Sequence, residues 1–357
     1  MRSFILRRVA LIAHGDSGLV LIGSRHSANT LRIREFLTRN AQPFTYQDVE
    51  SDPDVQALLD RFQVGVDDVP VVVCEGGQVL RNPSIEALAS GLGLSPEFDA
   101  GVTRDVVIVG AGPAGLAAAV YAASEGLDVL VLETTAPGGQ AGSSSRIENY
   151  LGFPTGISAR TWPGVRSMQT RSSARRWPSP GGPSVSTARR SPTRSSLATG
   201  EVVRTRTVVI ASGARYRKPA LSELSRFEGA GIMYSATHVE AQLCKEERSP
   251  SWEAAIPPDR RPSSLSQSSA QVNVLVRGPE LAASMSRYLI QRIEAQLERG
   301  AACAHTQIDA LEGTDRLEGI RWRHLDTGQS QTRPIRHLFL MTGADPNTAW
   351  LGGMRGA

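Results

Sequence analysis

Asp105-Val-Val-Ile-Val-Gly110-Ala-Gly112-Pro-Ala-Gly115-Leu-Ala-Ala-Ala-Val-Tyr121 decides how this chain is read. The unbroken apolar run Val106 to Val109 predicts a strand covered on both faces, and the Ala-rich stretch after Pro113 predicts a helix. Between them each glycine has its own role. Gly110 makes the tight turn, Gly112 lets backbone approach a diphosphate, and Gly115 lets helix and strand pack closely. A second strand, Asp128 to Leu132, ends in Glu133, 23 residues after Gly110, where a carboxylate can accept hydrogen bonds from ribose hydroxyls. This order predicts a Rossmann-type dinucleotide site formed by Gly110, Ala111, Gly112, Pro113, Ala114, Gly115 and Glu133, with the diphosphate on the helix N-terminus. A ligand-free βα turn is the bland alternative.

The 357 residues, 40% of them apolar, are enough for two or three domains. The net charge of +4 is not spread evenly. Arg160–Thr199 holds eight Arg and no acid, so the remainder carries −4, and the basicity belongs to one segment. Cys74, Cys244 and Cys303 are too far apart for a CxxC or a zinc-finger spacing, so no metal site is predicted. No run approaches the roughly 18 apolar residues of a membrane helix. Arg7 and Arg8 split the apolar N-terminus, which has no small-residue cleavage site. These observations predict a soluble, cytoplasmic protein.

Downstream of Glu133 the chain reads Ala136-Pro-Gly138-Gly139-Gln140-Ala-Gly142, then Ile147-Glu-Asn149-Tyr-Leu-Gly-Phe-Pro154, and later Thr207-Val-Val-Ile-Ala-Ser-Gly213. Here it resembles the thioredoxin-reductase branch of the pyridine nucleotide-disulfide oxidoreductases. The resemblance implies FAD as cofactor, with Gly138, Gly139, Gln140 and Asn149 along the flavin and Gly213 where the chain passes between two nucleotide domains. It also implies NADPH, or NADH, on a second Rossmann unit. The later part of that unit is visible in Val272-Asn-Val-Leu-Val276-Arg277 and in Arg336 to Thr348. Arg277 stands where the family grips the 2′-phosphate of NADPH, and Arg287 is a weaker candidate; either could be a solvated surface arginine.

Residues 17–97 read as β-α-β-α-β-β-α and resemble a glutaredoxin or thioredoxin domain. Leu31, Ile33, Phe36 and Leu37 form the first helix's apolar face, Val55, Leu58, Leu59 and Phe62 the second's, and Pro70 stands where this fold keeps a cis-proline. Its CxxC is replaced by Ser27-Ala28-Asn29-Thr30. A hydroxyl in place of a thiolate cannot run disulfide exchange, so the domain is read as a docking or scaffold module and Cys74 as a core residue. Residues 1–16 are a stub of an upstream domain or a surface helix.

The fold class is therefore α/β: a thioredoxin-like domain, an FAD-binding Rossmann-type domain over 101–220, and an incomplete NAD(P)-binding one over 221–350. The family's dithiol is missing too. Tyr234 to Cys244 has one thiol, leaving His238 and Cys244 as a weak reactive pair or as bystanders. Two stretches look foreign. Arg160–Thr199 has nine Ser and five Pro, and Arg248–Ser269 has seven Ser and four Pro, compositions of disordered segments. The second falls where the NADPH phosphate turn belongs. A one-base shift in codons for the family's Gly-Gly-Gly-Asn-Ser-Ala-Gly yields Glu-Ala-Ala-Ile-Pro-Pro, which is Glu253–Pro258. Out-of-frame translation is thus expected here and over Arg160–Thr199, and the chain is expected to stop before the family's C-terminal return to the flavin.

The functional expectation is an FAD-dependent oxidoreductase passing a hydride from NAD(P)H to a small-molecule or protein electron acceptor. The resemblance also implies a homodimer. The first alternative is a non-catalytic FAD-binding or docking protein with a decayed NAD(P)H site. The second uses the Arg-rich segment as a nucleic-acid tether, although no RNA- or DNA-binding module accompanies it.

Overall fold

Val106 and Ile108 point to one side of their strand and Val107 and Val109 to the other, and each pair meets its own apolar cluster. The computed structural model that shows this describes residues 18–25, 27–50, 65, 68–74, 77–94, 101–143, 146–147, 150–158, 184–186, 193–196, 202–234, 252–255, 272–280, 287, 290–291 and 302–354. The chain divides into two units: residues 1–25, 32–214 and 346–357 form the first, residues 26–31 and 215–345 the second.

The first unit begins with β1 (Leu19–Gly23), α1 (Ala28–Arg39), β2 (Phe44–Asp48), β3 (Val71–Val73), β4 (Val79–Arg81) and α2 (Ile85–Gly91). The strands form one sheet in the order β2-β1-β3-β4, with β1 and β2 parallel and the rest antiparallel. One face carries Val20, Ile22, Val71 and Val73. On the other face Leu19, Leu21, Val72 and Cys74 meet Ile33, Phe36 and Leu37 of α1 and Leu88 and Ala89 of α2. Ser84 caps α2 by accepting from the Ala87 amide. The Val69–Pro70 peptide is cis. The expected second helix, with Val55, Leu58, Leu59 and Phe62, and residues 1–16 lie outside the described residues.

The same unit continues with β5 (Thr103–Val109), α3 (Pro113–Ser124), β6 (Val129–Leu132), the short pair β7 (Arg146–Ile147) and β8 (Ile157–Ser158), then β9 (Ser184–Ser186), β10 (Thr193–Ser196) and β11 (Val202–Ile210). The sheet order is β6-β5-β11-β10-β9, with β5 parallel to both neighbours. Leu116 and Ala119 of α3 cover one face, while Val203, Val208 and Trp350 pack on the other. Such two-sided burial is why β5 reads as a continuous apolar run. Two strands, β9 and β10, occur within the segment whose composition predicts disorder, paired antiparallel on the sheet edge.

The second unit holds the remaining strands: β12 (Ala214–Tyr216), β13 (Ile232–Met233), β14 (Trp252–Ala255), β15 (Val272–Leu275), β16 (Ala302–Cys303), β17 (Thr306–Glu312), β18 (Gly319–His324), β19 (Ser330–Arg333), β20 (Leu338–Leu340) and β21 (Ala344–Pro346). The one-turn helix α4 (Leu224–Phe227) precedes β13. The parallel sheet β13-β20-β14-β15-β16 places β14 between β15 and β20, the position of the first strand in a Rossmann half. Thus β14, too, lies within a segment that composition marks as irregular. The antiparallel sheet β17-β18-β19 contributes Ile308, Leu311, Ile320 and Trp322 to a core shared with Leu338, Leu340 and Phe227. From Pro346 the chain again belongs to the first unit.

Candidate functional site

The end of β5 turns at Gly110, whose amide donates to the Leu132 carbonyl at 2.8 Å, and α3 starts three residues later with Pro113 in its first turn. No side chain caps this helix. The N-terminal N–H groups, with their partial positive charge, are therefore available for an anion. Two close backbone approaches shape the turn, the first of them at the glycine expected to allow close packing. A Cβ at Gly115 would stand 1.9 Å from the Gly110 carbonyl oxygen, and one at Gly139 would stand 2.9 Å from the Gly112 Cα.

Glu133 organises the turn from the neighbouring strand. One carboxylate oxygen accepts from the Ala111 amide at 2.8 Å; the other accepts from Thr134 at 3.0 Å and Thr135 at 2.9 Å. Sequence reasoning assigned this carboxylate to ribose hydroxyls alone. The structure shows that it first of all holds backbone, which leaves part of its acceptor capacity for a ligand. The loop then folds back: the Gly138 amide donates to the Ala111 carbonyl at 2.8 Å. Gln140 donates to the Ala214 carbonyl at 2.7 Å, and the Gly213 carbonyl accepts from the Asn347 amide at 2.9 Å.

Gly110, Ala111, Gly112, Pro113, Ala114, Gly115, Glu133, Gly138, Gly139 and Gln140 thus converge on one turn. Gly213 follows β11, whose neighbour Ala211 packs against Gly115 and whose Ser212 hydroxyl donates to the Asn347 carbonyl at 2.8 Å. Asn149, His238 and Cys244 lie outside the described residues. Arg277 is exposed just beyond β15 in the second unit, and Arg287 is exposed as well. Cys74 is buried, and burial pushes its thiol up from its ordinary value. Among the described residues no group of three or more His, Cys, Asp or Glu is placed to hold a metal, and no helix is long and apolar enough to cross a membrane.

Sequence reasoning missed Arg39 and Asn40, which reach the Gly139 and Thr135 carbonyls. It also missed Asn347. No local pattern marks these residues, because their partners lie about a hundred residues away.

The narrow cradle, the uncapped helix and the anchored acid fit a dinucleotide diphosphate. The family model described as pyridine nucleotide-disulphide oxidoreductase matches residues 104–250. The thioredoxin reductase of Mycolicibacterium smegmatis is 26% identical over 251 residues, covering 70% of this chain and 78% of that one. The NADH dehydrogenase of Bacillus subtilis is 26% identical over 301 residues, covering 80% of this chain but only 55% of that protein. In fold, the crystal structure of Lactococcus lactis thioredoxin reductase matches with a TM-score of 0.64 at 21% identity, over 71% of this chain and 82% of that one. Residues 104–250 thus match the family model of the pyridine nucleotide-disulphide oxidoreductases, and over about 70% of its length the chain is similar to thioredoxin reductases in sequence and in fold.

Proposed function

We propose that the chain is an FAD-dependent oxidoreductase that takes electrons from a reduced nicotinamide nucleotide and passes them to an acceptor other than a dithiol of its own. The uncapped N-terminus of α3, with Gly110, Gly112 and Gly139 drawn tightly around it, carries this reading. Gly110 to Gly115 would hold the diphosphate, Glu133 the ribose, and Gly138, Gly139 and Gln140, with Asn149, the flavin end. Bound FAD supplies hydride acceptance and electron transfer; the protein's part is to bind, orient and exclude water.

The sequence has no CxxC, so the acceptor is a small molecule or a protein that meets the flavin directly. The names of its relatives span two chemistries, a thioredoxin reductase and an NADH dehydrogenase. A homodimer is proposed on the same family likeness. The donor half is the weaker one. β14 leads into Ile256-Pro257-Pro258, and two prolines without N–H groups cannot cradle phosphate as a glycine-rich turn does. That observation supports a second reading, a non-catalytic FAD-binding or docking protein. Adding NADPH, then NADH, to the flavin-loaded chain without oxygen decides between them. Bleaching of the flavin band is the expected result; a band that persists until dithionite is added establishes the second reading.

A further inference from the structure

We propose that Arg39 and Asn40, at the end of α1, are positioning residues for the flavin: through them the N-terminal domain, which has no CxxC, braces the loop that closes over the dinucleotide turn. This rests on the cofactor reading above. Arg39 donates from its guanidinium to the Gly139 carbonyl at 3.0 Å, and Asn40 donates from its side-chain amide to the Thr135 carbonyl at 3.0 Å. The Arg39 side chain is only 15% exposed and is steadied by Glu35, one helical turn earlier, at 3.3 Å. The same side-chain amide of Asn40 also donates to the Phe36 carbonyl at 2.9 Å, which fixes it to the end of its helix.

The loop needs such help. Gly138 and Gly139 both have positive φ, +106° and +55°, and glycines in such a loop surrender more backbone freedom on ordering than other residues do. From its own side the loop is held by Glu133 on the Thr134 and Thr135 amides and by the Gly138 amide on Ala111. These bonds occupy donors of the loop. The Thr135 and Gly139 carbonyls are taken from outside it, by a rigid helix packed on its own sheet through Ile33, Phe36 and Leu37. Donation from a half-buried guanidinium is charge-assisted, so its loss costs more than that of a neutral bond. A domain that resembles a redox module but lacks its thiols thereby acquires a different role. It holds the flavin loop in its bound shape, so that less order is lost when the cofactor enters.

The test uses the full chain with Arg39→Ala, Arg39→Lys, Asn40→Ala and, as a control on the same helix, Arg32→Ala, whose partner is the Pro83 carbonyl. FAD dissociation constants from titration of the apoprotein, thermal melts, and amide hydrogen exchange of residues 134–142 without FAD are compared. The brace predicts about tenfold weaker FAD binding for Arg39→Ala and for Asn40→Ala. It also predicts faster exchange in the loop, an apoprotein melt lowered by no more than a few degrees, partial recovery in Arg39→Lys, and no effect of Arg32→Ala on FAD affinity or loop exchange. Wild-type affinity together with wild-type exchange in both alanine variants would overturn it. A wild-type chain that binds no FAD, but whose loop exchange rises in Arg39→Ala, would sink the cofactor reading and leave the brace standing.

Discussion

Gly115 lies so close beneath Gly110 that a Cβ at position 115 would stand 1.9 Å from the Gly110 carbonyl oxygen. Backbone cannot yield to that contact without moving the turn, and Ala211 closes the other side. Gly115→Ala is therefore expected to destabilise the first unit by about 2 kcal/mol and to weaken the proposed binding of FAD. Gly18→Ala, which meets nothing within 4 Å, should stay within about 0.5 kcal/mol. Thermal melts and flavin content of the two variants check this.

Arg277 stands exposed just past β15, at the edge of the proposed nicotinamide-nucleotide half. If that half binds the nucleotide as proposed, a guanidinium there would discriminate between NADPH and NADH through the 2′-phosphate alone. Arg277→Ala should weaken NADPH about tenfold and leave NADH unchanged, read from anaerobic flavin reduction against nucleotide concentration. Equal losses for both nucleotides would remove Arg277 from the site.

The first strand of that half, β14, is in place, but it runs into Ile256-Pro257-Pro258. Putting Gly-Gly-Gly in place of Ile256–Pro258, which leaves β14 intact, should strengthen NADPH binding at least tenfold, because glycine amides replace two prolines that cannot donate. Unchanged flavin-reduction kinetics would mean that this turn plays no part. Sequencing of the gene tests the frame reading separately, through a pair of compensating single-base changes flanking the segment.

The pattern of what was legible follows from where each signal lives. β5, α3 and β6 were readable because their covering on both faces dictates apolar runs and their turn dictates glycines. Cys74 was readable as core because it continues the run begun by Val71, Val72 and Val73. β9, β10 and β14 were not, because short strands embedded in Ser, Arg and Pro show neither alternation nor an apolar run, and backbone pairing alone places them. The position of Glu133 at the end of β6 was legible but its backbone partners were not, since three amides close on it only after the loop folds. The bond from Asn347 to Gly213 depends on the chain's return to the first unit, which no local window contains.

Glu228 offers a pH test of the second unit. Burial pushes its carboxyl up; hydrogen bonds from Lys218 and Tyr234, with the Lys218 charge, pull it down further and leave it below its ordinary value of 4.5. Tyr234 is raised by burial and then by that same carboxylate, so it stays protonated and donates to Glu228 at 2.5 Å. A carboxyl whose value is lower in the folded chain stabilises the fold above 4.5 and loses that contribution as pH falls below it. Glu228→Gln should therefore melt lower than wild type at neutral pH, and the difference should shrink on acidification below that value. A gap that is independent of pH would contradict the arrangement.

The most direct measurement is the visible spectrum and flavin stoichiometry of the purified full chain after incubation with excess FAD and removal of the unbound cofactor. A protein-bound flavin spectrum with stoichiometric FAD is the predicted result. A chain that is folded by circular dichroism but stays colourless would contradict the cofactor reading.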